Sequence, residues 1–397
     1  MSAIDPRGQS TKEMPDQPGP SRTVRIVQLD ILRGIAILLV LLVHNYFVPP
    51  QSAGVLAPVA GFGWRFGTSG VDLFFVLSGF LVGGLLMREA RLKSRIDVWR
   101  FCIRRGFKIW PPYYVYIVWL VVSCGLHPST VLSTVKELAP CFVHLQNYVG
   151  ILHAKMIHAW SLAVEEHFYV LLPLLLAFLT RRSIRGLRLI PPIMATLAVA
   201  CLVGRLITIA AVPNTELFQT HLRLDGLFWG VLLAYLYHFH RNTLAKIAGL
   251  KLPLIAAGLA FLALADYVSR YGGGPGLCAR YTLLYLGYGC ILVCMIPGLT
   301  PACWVDRLCA TLPARVVAFV GYYSYSIYIW HLQAWTITRL TAPHICPPDG
   351  ALGWVVYTLI WIGSAVGLGV VCSKIVEQPA LALRERYFPK RAEAIQG

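Results

Sequence analysis

Apolar residues run along this chain in ten blocks separated by short polar segments, with approximate limits 29–48, 70–87, 112–126, 160–180, 189–211, 224–239, 252–268, 281–297, 316–335 and 352–372. Crossing a hydrocarbon core takes about 20 apolar residues of helix, and in lipid every backbone group must find its partner within the spanning structure. The pattern therefore predicts an all-α, polytopic membrane protein of about ten transmembrane helices. Residues 1–27 are rich in Pro, Ser, Gln and charge and bury nothing; they read as a disordered cytoplasmic tail. A membrane domain is expected over 28–375 and a cytoplasmic C-terminal tail over 376–397. The first block follows a polar tail and lacks a small-residue cleavage site, so it should persist as a helix.

Composition agrees with this reading. Only 13% of residues are charged, against about 25% in soluble domains. The formal charge of +17 suggests nucleic acid at first sight. Its placement excludes that partner, because 26 of the 35 Lys and Arg fall in the two terminal segments and the alternate loops that share their side. This is the positive-inside asymmetry, and it predicts that both termini are cytoplasmic. The 11 Cys show no paired metal-ligand spacing, so neither zinc nor any other metal is expected.

The first block, LDILRGIAILLVLLVHNYFV, departs from a plain anchor. Arg33 and His44 are eleven residues apart, about three helical turns or 16 Å along one face. An isolated Arg can snorkel and a lone His can sit at the interface, but other blocks also place ionisable groups at the outer level. Asp72 opens the second, Glu165 and Glu166 the fourth, His221, Arg223 and Asp225 the sixth, and His331 ends the ninth. Intramembrane charges normally face the bundle interior, so a polar cavity opening outward is expected, with helices arranged around it. The tyrosines Tyr322, Tyr323, Tyr325 and Tyr328 read as interfacial anchors, and Ser78 and Ser161 as packing or capping residues.

On the inner side, Arg104, Arg105 and Lys108 precede Pro111, which reads as the first-turn proline of the third span. This tight basic group suits an anion clamp better than a topology signal alone. An imidazole is the usual base for a hydroxyl near neutral pH, and Glu165, Glu166 or Asp72 would orient it. Together these features suit an enzyme that takes a phosphorylated, activated donor from below and an alcohol from above. The alternative is a proton-coupled transporter or exporter. It would require repeated halves, and the Arg33/His44 helix has no counterpart among spans six to ten.

The ordered set of motifs resembles the membrane-bound acyltransferase 3 family. It comprises the Arg33/His44 pair, GVDLFFVLSGFL at 70–81, RRGFKIWPPYY at 104–114, WSLAVEEHFY at 160–169, THLRLDGLFWG at 220–230, GYYSYSIYIWH at 321–331 and VEQPA at 376–380. The resemblance implies transfer of an acyl group, usually acetyl from acetyl-CoA, to a hydroxyl of a carbohydrate or glycosylated acceptor in a bacterial cytoplasmic membrane. It implies that His44 and Arg33 are the essential pair and that Arg104, Arg105 and Lys108 meet the CoA. Glu166, Glu165 and Asp72 then join the catalytic set, and His221, Arg223, Asp225 and His331 line the acceptor side. A homo-oligomer is compatible with it. Lys108 stands where the family usually has Arg, keeping charge but losing a bidentate fork. The chain runs about 25 residues past its tenth block, so the chemistry is expected from the membrane core. With no Ser or Cys nucleophile in evidence, direct attack by the acceptor hydroxyl is the expected course.

Overall fold

In the computed structural model, the described residues are 26–389 apart from 46, 48–53, 55, 126, 151–152, 214 and 348–349. The expected tail at 1–27 thus lies, but for its last two residues, outside them. Every regular element among the described residues is helical. The first apolar block forms α1 (Val27–Val43), and a short helix α2 (Leu56–Phe66) leads to α3 (Ser69–Lys93). After α4 (Val98–Ser123) come α5 (Pro128–Phe142) and α6 (Gln146–Val149), then a 3₁₀ turn into α7 (Trp160–Thr180). The middle of the chain supplies α8 (Ile190–Ala211), α9 (Leu224–Phe239), α10 (Arg241–Gly249), α11 (Lys251–Tyr271) and α12 (Gly273–Met295). The last part holds α13 (Trp304–Cys309), α14 (Leu312–Tyr322), α15 (Ser324–Thr341), α16 (Gly350–Cys372) and α17 (Gln378–Tyr387).

Each of the ten apolar blocks falls mainly on helix, and among the described residues six helical stretches are long and apolar enough to cross a membrane: Ser69–Lys93, Lys155–Thr180, Ile184–Ala211, Lys251–Tyr271, Gly273–Met295 and Gly350–Tyr387. The other four blocks depart from that measure for local reasons. Helix α1 has 17 residues and α9 has 16, α4 carries the basic group in its first half, and the ninth block is cut at Tyr323 into α14 and α15.

Pro111 does not begin a helix. It lies with Pro112 inside the 26-residue α4. Two prolines remove the donors that would reach the carbonyls of Phe107 and Lys108. Just beyond these, the Tyr325 hydroxyl donates to the Ile109 carbonyl at 2.6 Å, tying α15 to α4 beside the weakened turn.

Two crossings fix the inner helices at backbone contact. A Cβ on Gly321 would stand 1.8 Å from the Asp30 carbonyl oxygen, and one on Gly34 would stand 2.1 Å from that of Val317. Helices α1 and α14 therefore touch main chain to main chain directly beside Arg33. Small residues serve this purpose in membrane bundles because helix packing there depends on close van der Waals contact. Helices α3 and α9 cross in the same way at Gly79 and Gly230. The far end of α1 is tied to α16, where Trp361 Nε1 donates to the Leu41 carbonyl at 3.1 Å and Asn45 to Thr358 at 2.9 Å. Helices α8 and α11 lie at the periphery, with most of their surface outside the bundle.

Candidate active site

A cavity of about 90 Å³ opens between α1, α3, α4, α7, α14 and α15, several times what one water molecule needs. Its polar wall brings together Arg33, Arg105, Lys108, Glu165 and Glu377, and the hydroxyls of Ser78, Ser161, Tyr169, Tyr325 and Tyr328. The remaining wall is apolar, from residues such as Val71, Phe74, Leu77 and Leu81 on one face of α3. Among the described residues, Arg33 and Lys108 make no hydrogen bond or ion pair. Arg105 packs its guanidinium over the Tyr169 ring at 4.8 Å and leaves Nε buried without an acceptor.

The carboxylates are held differently. Tyr169 donates its hydroxyl to Glu165 at 2.8 Å and bonds Ser78 Oγ at 2.7 Å. Residues 165 and 169 are one helical turn apart on α7, so the tyrosine aims its own neighbour into the cavity. Glu377 arrives from a single π-turn, Ser373–Glu377, that joins α16 to α17. It accepts from Ser326 at 2.7 Å and Ser373 at 2.9 Å. A π-turn widens the helix by one residue and is often found at functional sites.

His44 is not in the cavity wall. It stands at the C-terminal end of α1, where its Nδ1 lies 2.9 Å from the Val40 carbonyl. A carbonyl only accepts, so Nδ1 carries the proton and the basic lone pair is on Nε2. The ring meets His331 edge-on at 4.9 Å, and His331 meets His158 at 5.0 Å. His331 is fully buried; its Nδ1 donates to the Tyr328 carbonyl at 2.7 Å, while its Nε2 has no partner. Between this row of imidazoles and the cavity stands Tyr328.

Of the expected site residues, Arg33, Arg105, Lys108 and Glu165 meet in the cavity, and His44 and His331 meet just beyond it. The others are elsewhere. Asp72 pairs with Arg223 at 2.6 Å, and Asp225 pairs with Arg205 at 2.8 Å; all four are buried. These two pairs join α3, α8 and α9 and are separate from the cavity. Arg223 also stacks over Tyr281 at 3.9 Å. Glu166, about 100° around α7 from Glu165, accepts from Trp110 Nε1 at 2.9 Å. Exposed His221 stacks on Tyr148 at 5.8 Å. Arg104 turns to the C-terminal segment, pairing with Glu385 at 3.0 Å and donating to the Phe388 carbonyl. Position along a helix does not fix which face of the bundle a residue joins, and nothing in the sequence marks Arg205 as the partner of Asp225.

Sequence reasoning also missed part of the site. Tyr325 and Tyr328 line the cavity instead of anchoring at the interface, because their helix is the inner one. Ser78 and Ser161 belong to its hydroxyl network. Tyr169 has a readable signal in its one-turn spacing from Glu165, and His158 has none.

Residues 26–374 match the acyltransferase domain of the acyltransferase 3 family. Among individual proteins, the chain is similar to a peptidoglycan O-acetyltransferase, OatA, of Listeria monocytogenes, with 29% identity over 74% of this chain and 50% of the relative. A putative O-acetyltransferase of Staphylococcus aureus is 26% identical over 82% of this chain and 55% of its own length. The O-acetyltransferase OatA of S. aureus is 26% identical over 67% and 45%. The chain thus spans about half the length of these curated relatives. No solved structure matches it. The matched segment contains every residue of the cavity wall except Glu377, and the chain belongs to the acyltransferase 3 family.

Proposed function

We propose that this protein is a bacterial membrane O-acyltransferase that moves an acyl group, most simply acetyl, from cytoplasmic acyl-CoA to a hydroxyl of a carbohydrate such as peptidoglycan. Both termini are then cytoplasmic, and the thioester end of the donor occupies the cavity. The observation that carries this reading is the set of three cations, Arg33, Arg105 and Lys108, converging on one membrane-embedded cavity. Unmatched buried charge is costly, and an anionic donor with a polarisable carbonyl repays it. The relatives support the acceptor class through the activity in their names.

In the reaction, His44 Nε2 takes the proton of the acceptor hydroxyl, whose oxygen attacks the thioester carbon. Arg33 stabilises the oxyanion that develops there. The C–S bond then breaks, and the proton passes to the CoA sulfur. Arg105 and Lys108 hold the donor, while Glu165, fixed by Tyr169, and Glu377, fixed by two serines, offset part of the positive charge in the cavity. Glu166, Asp72 and Arg104 act at one remove, through Trp110, Arg223 and α17 respectively. Exposed His221 stands on the side from which an acceptor arrives, and the buried pairs of Arg223 and Asp225 hold the helices beside it.

The test uses full-length protein in nanodiscs, labelled acetyl-CoA and soluble peptidoglycan oligosaccharides. Label is expected in the oligosaccharide, and acetyl-CoA is expected to raise the unfolding temperature by mass action. Exchanging Arg105 and Lys108 together for Gln should remove that stabilisation. An unfolding temperature indifferent to acetyl-CoA, with no label transferred, would overturn the assignment.

A further inference from the structure

The base and the donor cavity occupy two compartments. His44 and His331 are absent from the cavity wall, whereas Tyr328 stands in that wall with its ring against His331, and Ser161 lines the wall beside it. The Tyr328 hydroxyl donates to the His158 carbonyl at 2.7 Å and lies 2.7 Å from Ser161 Oγ. With the tyrosine proton on the His158 carbonyl, the proton between the two hydroxyls comes from Ser161, whose Oγ also lies 3.4 Å from that same carbonyl. The Tyr328 ring packs against His158 at 5.4 Å and His331 at 5.8 Å on one side, and against Phe74 at 6.2 Å across the cavity. All of these bonds join α7 and its preceding turn to α15, and none involves the charged residues of the site.

This arrangement addresses a problem that the proposed reaction creates. The cavity is large enough for several waters, and an imidazole that deprotonates a sugar hydroxyl deprotonates water equally well. With base and thioester in permanent contact, water would attack the thioester carbon, the C–S bond would break, and acetate and CoA thiol would leave before any acceptor arrived. Enzymes that must choose a bound acceptor over water assemble the site only on acceptor binding.

We propose that Tyr328 and Ser161 form a latch between the donor cavity and the imidazole row, opened by the acceptor, that selects a sugar hydroxyl over water as the nucleophile. The inference rests on the acyl-CoA reading of the cavity. Tyr328 and Ser161 are positioning residues here: they control which nucleophile reaches the thioester.

The experiment measures CoA thiol release and acetate from acetyl-CoA by full-length protein in nanodiscs, with and without peptidoglycan oligosaccharides. Wild type should release thiol only when the oligosaccharide is present. Tyr328→Ala should raise release without acceptor about tenfold, and Tyr328→Phe and Ser161→Ala severalfold, since they keep the ring but break its bonds. Adding His44→Ala to Tyr328→Ala should return release to the wild-type level. A gain of hydrolysis is not produced by damage to the fold, and Ser161→Ala decides the matter if Tyr328→Ala does not fold. Acceptor-dependent release in wild type with no rise in Tyr328→Ala and Ser161→Ala overturns the latch alone. No release from wild type in either condition overturns the acyl-CoA reading, and the latch with it.

Discussion

Two groups of charges lie within this bundle, and they are treated oppositely. In the α3–α8–α9 region, the four buried charges are matched. Asp72 holds Arg223, Asp225 holds Arg205, and Arg205 also donates to the Leu222 carbonyl at 2.9 Å and to Thr282 at 3.1 Å. In the cavity, three cations face two carboxylates that are bonded to hydroxyls instead of to the cations. Matched ions hold helices together, whereas unmatched ones leave interaction energy available for a ligand. Partnering, not depth in the membrane, separates structural charge from functional charge here.

The sharpest break between the two regions comes from His44→Ala. Acetyl transfer should fall about 10³-fold, with the unfolding temperature nearly unchanged; transfer persisting at a tenth of wild type would remove the imidazole from the chemistry. Asp225→Asn should show the reverse behaviour. It leaves Arg205 buried and uncompensated at a cost of about 3 kcal/mol or more, read as a lower unfolding temperature in detergent, with activity per folded molecule largely retained. Arg33→Gln belongs with the first kind, with a loss of about 10²-fold in transfer and no loss of thermal stability. If Arg33→Gln destabilises as much as Asp225→Asn, the distinction between the two regions fails.

The smallest effect lies outside both regions. Asp306 accepts from the Cys303 backbone N–H at 2.9 Å and from Gln28 at 3.3 Å. The backbone bond holds its carboxyl below the ordinary value of 3.8. A depressed carboxylate contributes stability that is present above the ordinary value and is lost as pH falls through the folded one. Asp306→Asn should therefore cost about 1 kcal/mol near neutral pH, and the gap from wild type should close in acid.

Much of this was legible from residue order. The helical character of the apolar blocks follows from their composition, and Arg33 faces the cavity as its helix predicts, whereas His44, read onto the same face, stands beyond the cavity wall. The failures share one cause. Asp72, Arg223 and Asp225 are ionisable residues of apolar helices as expected but stand away from the cavity, and a face is set by which helices become neighbours. That depends on crossings such as Gly321 on Asp30, between residues far apart in the chain. Tyr328 was misread for the same reason, since an aromatic near a membrane boundary looks like an anchor until its helix is known to be interior. Pro111 looked like a start because its missing donor is harmless there; inside α4 the same omission is tolerated beside the Tyr325 bond.

The π-turn at Ser373–Glu377 has an evolutionary corollary. One surplus residue sets the angular position of everything after it. Deleting any single position from this stretch would restore regular winding and swing the following helix by about 100°. Glu377 would leave the cavity, and Arg104 would lose both Glu385 and the Phe388 carbonyl. Homologous chains should therefore keep the number of residues in this stretch constant.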